Sequence, residues 1–346
     1  MKKRVLVFNV GSSSIKYSLF DGGNLIDSEY FERLKKREDY SNVIKRIFEK
    51  IDKKSINLIA HRIVHGGDLN KPVKINNKVK EKIKEFSEFA PLHNPKELMV
   101  IELCERYNIS QYAVFDTMFF SGISEKTKIY AIPKEITKKY KIRRYGFHGL
   151  SHEFVSKDLK GRTIVCHLGS GASVSAIFNG NAIDTSMGLT PLEGLVMGTR
   201  SGNIDPGIVI FLQRKGFDIE KVLSKRSGLK GLCGYNDFRD ILKRLSERDC
   251  KLAYDIFVYN LVKIVGSYLG SLSGLDNLVF TGAIGENVAK LRKDVCDCFG
   301  FLGLRLNKDK NKINAEIISS ENSDVKVYVT KTDESKMILD KTLKIL

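Results

Sequence analysis

Long hydrophobic runs and prolines are scarce in this 346-residue chain. The uncharged, apolar-leaning stretch 264–275 has only 12 residues, whereas a helix that spans a membrane needs about 20. The apolar run behind the basic N-terminus covers only 5–8, which is shorter than the ~7–15-residue core of a secretory signal. The six prolines are too few for a proline-rich linker or stalk. We therefore expect no membrane association and a cytoplasmic location.

Cysteine is also sparse, with six residues spread along the chain. This density is typical of reduced thiols in a cytosolic protein and not of a disulfide framework. Cys296 and Cys298 could form half of a metal site, but no second cysteine or histidine pair lies near them at zinc spacing. His148 and His152 are four residues apart, yet the glycines on either side of His148 predict a turn there. A zinc site is therefore not expected.

Positive charge is in excess, with 58 Lys and Arg against 41 Asp and Glu and a net charge of +17. This charge permits nucleic acid, an acidic membrane surface or small anions as partners. The basic residues are scattered over predicted helix faces and do not alternate with aromatic residues, so we expect no nucleic-acid partner. The hydrophobic fraction of 42% is typical of a globular protein, and the length predicts two domains.

The chain repeats its opening segment. Residues 4–22 (RVLVFNVGSSSIKYSLFDG) and 162–180 (RTIVCHLGSGASVSAIFNG) align at an offset of 158. Each copy predicts a β-branched strand, a Gly/Ser turn, a second strand, a glycine-containing turn and a third short strand. An offset of nearly half the chain favours two related halves over a chance match of two hairpins.

The first turn of each copy carries glycine and serine, at Gly11-Ser12 and at Gly169-Ser170. Glycine lets the backbone approach an anion closely, and serine adds a hydroxyl donor. Two such tips facing one another across a cleft would hold the phosphates of a nucleotide, although two ordinary hairpin turns are the alternative. The chain has neither a P-loop nor a dinucleotide fingerprint. The strand at 278–280, followed by the glycine turn at 282–287 and a helix, is a second candidate for nucleotide binding.

Helical spacing of apolar residues predicts two amphipathic helices, at 76–89 and 236–249, with solvated basic faces. The segment 250–272 has apolar residues on more than one face, so we expect a long and mostly buried helix there. No linker stands out by composition, and the two domains are therefore expected to share an extensive hinge.

Four polar, glycine-rich stretches interrupt the apolar pattern, at 60–67, 115–117, 143–149 and 197–206. Each has an arginine, aspartate or histidine at a strand end or in a glycine turn, which is where a rigid scaffold holds binding groups. A structural turn would explain any one of them alone. Together they supply the parts that phosphoryl transfer needs, namely cations around the phosphoryl oxygens and an acid to orient a metal or a nucleophile.

Six motifs resemble the acetate kinase family, in the same order and nearly from end to end of the chain. They are Asn9-x-Gly-Ser-Ser-Ser-x-Lys16, HRIVHGG at 61–67, APLHNP at 90–95, FDT at 115–117, RYGFHG at 144–149 and MGLTPLEGLVMGTR at 187–200. The resemblance implies an α/β fold of the duplicated actin/hexokinase-like (ribonuclease H-like) type, with two lobes and a central cleft. It implies an N-terminal lobe for the acid and phosphate, 1–117 plus 331–346, and a nucleotide-binding C-terminal lobe, 118–330.

The same resemblance implies a role for each matching residue. Asn9 and Glu334 would hold Mg²⁺, with Mn²⁺ as a second possibility. Arg62 would bind the carboxylate of the acid, and the methyl group would lie among Val64, Leu92, Phe147 and Pro191. Asp116 would be the essential carboxylate, while His148 and Arg200 would stabilise the transferring phosphoryl group. The residues that would bind ATP or ADP are Ser12, Lys16, His167, Leu168, Gly169, Ser170, Gly171, Asp237, Phe238, Arg239, Ala283, Ile284, Gly285, Glu286 and Asn287.

The chain departs from the family pattern at a few positions. Ser170 replaces the usual asparagine of the second phosphate turn, Ala283 replaces a glycine, and Ser335 follows Glu334 where the family has a second glutamate. Typical members are also longer by several tens of residues, and we expect the missing part to lie after Leu34, where it would trim a loop or a dimer surface. None of these departures removes a predicted catalytic side chain.

The leading hypothesis is therefore an acetate kinase that makes acetyl phosphate and ADP reversibly from acetate and ATP by direct in-line transfer, and that forms a homodimer. A propionate or other short-chain acyl kinase is the closest alternative, because one methylene is worth only ~1–3 kcal/mol of discrimination. Two alternatives come from other classes: a nucleic-acid-binding protein, suggested by the charge, and a non-catalytic ATP switch of the same superfamily.

Overall fold

The computed structural model describes residues 3–346, and this part of the chain divides into two compact units. Unit 1 contains the residues up to Ser121, Phe147–Phe154 and Asp333–Leu346. Unit 2 contains Gly122–Gly146 and Val155–Thr332. Nothing in the sequence pattern indicated that the eight residues Phe147–Phe154 would belong to unit 1. The functional assignment of each lobe stays a prediction.

Unit 1 is built on a mixed sheet of six strands in the order β3-β2-β1-β4-β6-β5. The strands are β1 (Arg4–Val10), β2 (Ile15–Asp21), β3 (Asn24–Phe31), β4 (Leu58–Ile63), β5 (Val73–Lys74) and β6 (Gln111–Phe115). The first three form an antiparallel meander, and β4 and β6 then run parallel to β1. The carboxyl ends of the three parallel strands therefore lie at one edge of the sheet.

Unit 2 has a five-stranded sheet in the order β11-β10-β7-β8-β9. Its strands are β7 (Arg162–Leu168), β8 (Ala172–Phe178), β9 (Asn181–Thr185), β10 (Asn277–Thr281) and β11 (Lys326–Val329). An antiparallel meander of three strands again comes first, and two strands again run parallel to its first member. The two sheets share this order apart from the short β5, which confirms the duplication that the 158-residue repeat predicts.

The two meanders also use the same kind of second turn. The turn between β2 and β3 has positive φ at Gly22 and Gly23, and the turn between β8 and β9 has positive φ at Asn179 and Gly180. Positive φ at both central residues is typical of the two-residue hairpin turn whose twist matches that of the strands. Glycine and asparagine adopt this conformation most readily, which explains why the sequence signal for these hairpins was strong.

Helices complete the two units. They are α1 (Arg37–Lys50), α2 (Asn77–Glu85), α3 (Asn94–Glu105), α4 (Glu125–Lys128), α5 (Lys134–Lys139), α6 (Gly149–Ser156), α7 (Pro206–Arg214), α8 (Ile219–Lys221), α9 (Gly228–Cys233), α10 (Phe238–Lys243), α11 (Arg248–Leu272), α12 (Gly282–Asn287), α13 (Ala289–Asp297), α14 (Lys308–Lys312) and α15 (Glu334–Leu343). A 3₁₀ turn follows β6 at Asp116–Phe120.

Alternation of side chains along β1 forms two cores in unit 1. Val5 and Val7 belong to the core that α15 covers with its apolar side chains. Leu6, Phe8 and Val10 belong to the core on the other face, which α1 and α3 cover. Because successive side chains of a strand point to opposite faces, one continuous apolar run serves both cores.

The predicted helices were right in two of three places. A helix forms at Asn77–Glu85, where the Asn76 side chain accepts the first-turn amide of Val79 at 3.0 Å. The long helix predicted at 250–272 is α11, but it is not mostly buried. One face packs into the core, while Leu252 and Tyr259 are more than half exposed. The prediction of one helix over 236–249 is wrong, because α10 ends at Lys243 and α11 begins only at Arg248.

Helix α11 is long and apolar enough to span a membrane when only length and composition are considered. This finding corrects the expectation that no segment reaches that length. Tyr254, Phe257, Leu261 and Val265 of this helix are buried in unit 2, and the helix packs against β8. The same test is passed by core helices of globular proteins, and the burial of these side chains favours that role here.

A buried histidine in β4 makes stability depend on pH. His61 is 1% exposed, its Nε2 lies 2.7 Å from Gln111 Oε1, and burial lowers its pKa to about 4. The unfolded chain therefore takes up a proton at higher pH than the folded chain, and stability falls as pH falls from about 6.5 towards 4. At about pH 5 we expect His61 to reduce the free energy of unfolding by about 2 kcal/mol relative to neutral pH. Urea unfolding of the wild type and of His61→Gln at both pH values measures this difference. An equal loss of stability in the two proteins would contradict the prediction.

Candidate active site

Four predicted site residues meet at the carboxyl edge of the unit 1 sheet. Asn9 lies near the end of β1, Arg62 near the end of β4, and Asp116 directly after β6. Parallel strands end at the same edge, so residues at their carboxyl ends come together there. The fourth residue, Glu334, begins α15, which packs against β1. We call Asn9, Arg62, Asp116 and Glu334 the acid-edge cluster.

A bidentate ion pair forms the centre of the acid-edge cluster. Arg62 Nη2 donates to Asp116 Oδ2 at 2.6 Å, and Arg62 Nε donates to Asp116 Oδ1 at 3.3 Å. The Asp116 side chain is fully buried and the Arg62 side chain is 11% exposed. Paired N–H groups of a guanidinium fit the two oxygens of a carboxylate, so Asp116 fixes both the position and the orientation of Arg62.

Glu334 joins the cluster through three neighbours. Its Oε2 accepts from Asn9 Nδ2 at 2.7 Å and lies 3.6 Å from Arg62 Nε. Its Oε1 accepts from Ser151 Oγ at 2.6 Å. Ser151 had no predicted role, although it lies only two residues after the glycine-rich motif at 144–149.

The predicted turn at His148 is confirmed, and it packs against Asp116. His148 has a φ of 57°, and its backbone N–H donates to the Asp116 carboxylate. At Gly149 a Cβ atom would collide with the main-chain oxygen of Asp116. A residue without a side chain is therefore required here for the close approach of the two segments.

Burial and the ion pair set the protonation states of the cluster. Burial raises the pKa of Asp116 to about 6, although the Arg62 guanidinium opposes the rise. Burial by itself would lower the pKa of Arg62, but the carboxylates of Asp116 and Glu334 raise it above its usual value. At neutral pH Arg62 is therefore charged and Asp116 is mostly ionised, so the central pair is an ion pair.

The oxygen donors of the cluster fit a hard divalent cation. Mg²⁺ prefers carboxylate and amide oxygens and usually takes one or two carboxylates from a protein, with substrate phosphates completing the shell. Asn9, Asp116 and Glu334 supply such oxygens. Within residues 3–346 no group of three or more His, Cys, Asp or Glu side chains is arranged to hold a metal ion.

The predicted pocket residues differ in burial and come from both units. Val64 and Phe147 are buried in unit 1, and the Phe147 ring contacts the His65 ring edge-on at 5.5 Å between centroids. Leu92 is 48% exposed, so its side chain is not enclosed. Pro191 belongs to unit 2.

In unit 1, the first predicted phosphate tip has an exposed serine and an exposed lysine. Ser12 is exposed in the turn between β1 and β2, which Gly11 closes by donating to Ser14 O at 2.9 Å. Lys16 is exposed and pairs directly with Asn9 in the strand register. Directly opposite residues of an antiparallel pair point to the same face, so Lys16 and Asn9 share one face.

The second predicted tip lies in unit 2 between β7 and β8. Gly169 N donates to Gly171 O at 3.0 Å, and Ser170 is exposed at the apex, while Leu168 is buried and His167 is partly buried. The predicted strand at 278–280 is confirmed as β10, and the helix predicted at 288–292 lies in α13. The segment 282–287, predicted as a glycine turn, is itself the short helix α12. Gly282 has a φ of 78°, and a Cβ there would collide with Leu168 O, which brings the start of α12 close to the tip.

The predicted nucleotide segment Asp237–Arg239 begins α10. Asp237 caps this helix through the Arg239 amide at 2.9 Å and also binds the Arg239 side chain, whose hydrogen bond lowers the pKa of Asp237 to about 2. Phe238 packs against Phe257, with 5.0 Å between ring centroids, and is only 4% exposed. Any contact of Phe238 with a nucleotide would therefore come from its backbone.

Arg200 is a mostly buried cation in unit 2. Its Nη1 donates to Pro191 O at 2.6 Å, and burial lowers its pKa to about 10. No carboxylate forms an ion pair with Arg200 within the part of the chain that the structure describes. A buried guanidinium without a protein anion is suited to receive an anionic ligand.

Two arginines that support these elements had no predicted role. Arg144 donates to Thr185 O at 2.9 Å and to Glu193 Oε1 at 2.7 Å, and so holds the segment before Arg200. Arg292 is fully buried and donates to Gly285 O at 2.8 Å, which secures the α12 turn. Only the depth of burial distinguishes these arginines from the many surface ones, and the sequence pattern does not report it.

We expect Arg200→Met to make the protein more stable and less responsive to anions. The guanidinium loses hydration without gaining a counter-ion, so its removal raises the free energy of unfolding by about 1–3 kcal/mol. Inorganic phosphate should raise the melting temperature of the wild type and have a smaller effect on the variant. Thermal unfolding with and without phosphate measures both effects, and the exposed Arg226→Met is the matched control. An unchanged phosphate response in Arg200→Met would contradict the prediction.

Comparisons with known proteins agree with this geometry. A sequence profile of the acetokinase family matches residues 23–340. An acetate kinase of Carboxydothermus hydrogenoformans is 41% identical over 394 aligned positions, which cover 99% of both chains. The alignment is about 50 positions longer than this chain, which confirms that such relatives have residues that it lacks.

Solved structures with the same fold are also similar in sequence. A propionate kinase of Francisella tularensis superposes with a TM-score of 0.89 at 38% identity over 98% of each chain. An acetate kinase of Porphyromonas gingivalis gives a TM-score of 0.88 at 35% identity over 99% of each chain. The profile match and these full-length similarities agree with the duplicated actin/hexokinase-like sheets and the acid-edge cluster, and the chain therefore belongs to the acetokinase family, whose members are phosphotransferases with a carboxyl group as acceptor.

Proposed function

We propose that this protein is an acetate kinase, which transfers the terminal phosphoryl group of ATP to acetate reversibly and forms acetyl phosphate and ADP. The observation that supports it most directly is the acid-edge cluster, in which a buried arginine and two carboxylates lie at one sheet edge. The 41% identity to an acetate kinase over nearly the whole chain supports the same activity.

On the acid side, Arg62 binds the carboxylate of the substrate. Asp116 holds the Arg62 guanidinium in place by two hydrogen bonds, and Asn9 Oδ1 accepts a longer one from Arg62 Nη1 at 3.4 Å. The other guanidinium N–H groups are left for the acid. Val64 and Phe147 are buried, and the Phe147 ring contacts the ring of His65 on the loop that follows Arg62. Their apolar side chains suit a small apolar substituent. A carboxylate is already a nucleophile at neutral pH, so positioning and charge neutralisation supply most of the catalysis.

On the phosphate side, Arg200 and His148 stabilise the transferring phosphoryl group. One oxygen of the acid forms a bond to the γ-phosphorus while the bond from that phosphorus to the β–γ bridging oxygen breaks, and ADP leaves. Lys16 and the turns at Ser12 and 167–171 bind phosphates. The segments Asp237–Arg239 and Ala283–Asn287 bind the adenosine part.

Asn9 and Glu334 would hold the Mg²⁺ that accompanies ATP, and Asp116 contributes negative charge close to them. The cation neutralises the phosphate charge when it is bound. The roles of this chain's own residues are separate: Ser151 and Asn9 orient the two oxygens of Glu334, and Arg62 stays charged beside both carboxylates.

Propionate is the second candidate substrate. The 38% identity and the TM-score of 0.89 with a propionate kinase favour it as much as the similar values for acetate kinases favour acetate. Acetate is the first candidate because three relatives that are 40–41% identical over 99% of this chain are acetate kinases.

A panel of acids tests the proposed activity. We expect hydroxylamine to trap acyl phosphate from ATP with acetate and with propionate, and acetate to have the higher kcat/KM by about 10-fold, because one methylene is worth ~1–3 kcal/mol. Butyrate should react least. Arg62→Ala is the matched negative control, with an expected loss of 10²–10³ in rate. No trapped product from any acid would overturn the proposal, and faster reaction of propionate would replace acetate with propionate.

We further propose a homodimer in a cytoplasmic compartment. Helix α7 supports the dimer, because none of its side chains is buried, and Ile208, Ile210 and Phe211 are about half exposed. Such a concentration of apolar side chains on one short helix is typical of an interface. The six cysteines are all free thiols, which supports a reducing compartment.

Phe211→Glu tests the dimer surface. A buried carboxylate in an apolar interface is strongly unfavourable, so we expect the wild type to be a dimer and this variant to be a monomer in size-exclusion chromatography with light scattering. Phe301→Glu, which changes an exposed aromatic residue elsewhere in unit 2, is the control and should leave the dimer intact. A monomeric wild type would contradict the dimer, and a dimeric Phe211→Glu would place its interface elsewhere.

A further inference from the structure

The loop that follows Arg62 has an unusual set of hydrogen bonds. Four consecutive backbone N–H groups, at residues 64–67, donate to side chains and not to a neighbouring strand. Val64 N donates to Glu97 Oε2 at 2.9 Å, and His65 N donates to Asn94 Oδ1 at 3.0 Å. Gly66 N donates to Thr117 Oγ1 at 3.2 Å, and Gly67 N to His65 Nδ1 at 3.1 Å. Side chains therefore hold this loop where the sheet no longer does.

Helix α3 supplies the first two of these acceptors from its first turn. Asn94 also donates through Nδ2 to His65 O at 3.0 Å and to Ile83 O at 3.1 Å. Both polar atoms of its side chain therefore form hydrogen bonds. Glu97 is different. It is 1% exposed, and its Oε1 has no hydrogen-bond partner among residues 3–346. A buried carboxyl group with one unpartnered oxygen lowers the stability of the fold. A functional role for Glu97 would explain why the chain has a carboxyl group at this position.

The surroundings of Glu97 connect it to the acid-edge cluster. The charged groups that act on it are the Arg62 guanidinium on β4 and the Asp116 carboxylate after β6. Burial raises the pKa of Glu97 to about 8, although Arg62 opposes the rise. At neutral pH the side chain is therefore mostly a neutral acid. It accepts from Val64 without adding a third negative charge to a site that must admit an anion.

We propose that Glu97 is a positioning residue for the acid substrate, which holds the Val64 amide from α3 and thereby fixes Arg62 and the Val64 side chain in the arrangement that binds a small carboxylate. This inference rests on the proposed function and adds to it a residue that none of the six motifs assigns. Glu97 acts through Val64 and does not itself touch the acid.

Steady-state kinetics of Glu97 variants test the proposal. Glu97→Met keeps the size of the side chain but removes the acceptor, so the buried Val64 N–H loses its partner. We expect the KM for acetate to rise at least tenfold and the KM for ATP to stay within about twofold. Glu97→Gln restores a neutral acceptor of the same length and should return the acetate KM to within about threefold of the wild type.

Glu102 provides the matched control on the same helix. It is exposed and pairs with Arg37 at 3.3 Å, so Glu102→Met and Glu102→Gln should leave both KM values unchanged. If Glu97→Met fails to fold, Glu97→Asp decides the question, because its side chain is one methylene too short to reach Val64. We expect it to raise the acetate KM about fivefold or more.

The pH profile separates positioning from a merely structural role. Above about pH 8 wild-type Glu97 ionises and places a negative charge near the bound acid. The wild-type KM for acetate should therefore rise from about pH 7 to about pH 9 more steeply than that of Glu97→Gln, which cannot ionise. Parallel profiles in the two proteins would overturn the neutral-acid part of the inference.

Other outcomes are also decisive. A Glu97→Met enzyme with wild-type kinetics, or one whose KM values for acetate and ATP rise together, would overturn the positioning role. If the wild type phosphorylates no acid at all, the proposed function fails. If the wild type is active and the Glu97 variants are indistinguishable from it, only this inference fails.

Discussion

The buried ion pair between Arg62 and Asp116 is the interaction on which the acid-edge cluster depends. Both charged groups lose their hydration on folding, and either one alone would be strongly unfavourable in this buried position. Together they neutralise one another through two hydrogen bonds and remain in fixed positions. The other members of the cluster arrange themselves around this pair: Glu334 lies beside Arg62, and the His148 turn donates to Asp116. A cluster held in this way is preorganised before a substrate arrives.

The pair exists because three parallel strands end together. β1, β4 and β6 bring Asn9, Arg62 and Asp116 to one edge, although more than fifty residues separate each from the next along the chain. The duplicated unit repeats the strand order but not the side chains, and there the equivalent edge has the glycine turns after β7 and β10. One scaffold thus presents ionic side chains in unit 1 and exposed backbone in unit 2, which agrees with the division of acid and nucleotide binding that we propose.

Charge balance distinguishes Arg200 from the two buried arginines that support the fold of unit 2. Arg144 has a carboxylate partner in Glu193, and Arg292 is surrounded by neutral oxygen acceptors at hydrogen-bond distance. Arg200 has one backbone oxygen at 2.6 Å and no carboxylate within the described residues. Its desolvation is therefore uncompensated, which is the condition under which an anionic ligand gains most from binding.

The amino-acid sequence by itself determined the features that depend on local chemistry. The repeated hairpins, the glycine turns at His148 and Gly282 and the long helix α11 follow from periodicity and from backbone preferences, which act over a few residues. The six motifs identified the family and most of the cluster because their residues are contiguous. Tertiary structure alone decided that the segment 236–249 breaks into two helices, that Phe238 faces the core and Leu92 the solvent, and that Ser151 binds Glu334. It also decided that Glu97 is a buried acid under Val64. These outcomes depend on burial and on partners distant in the chain. The sequence gives the residue type of a glutamate, but it does not say whether water or the protein interior surrounds the side chain.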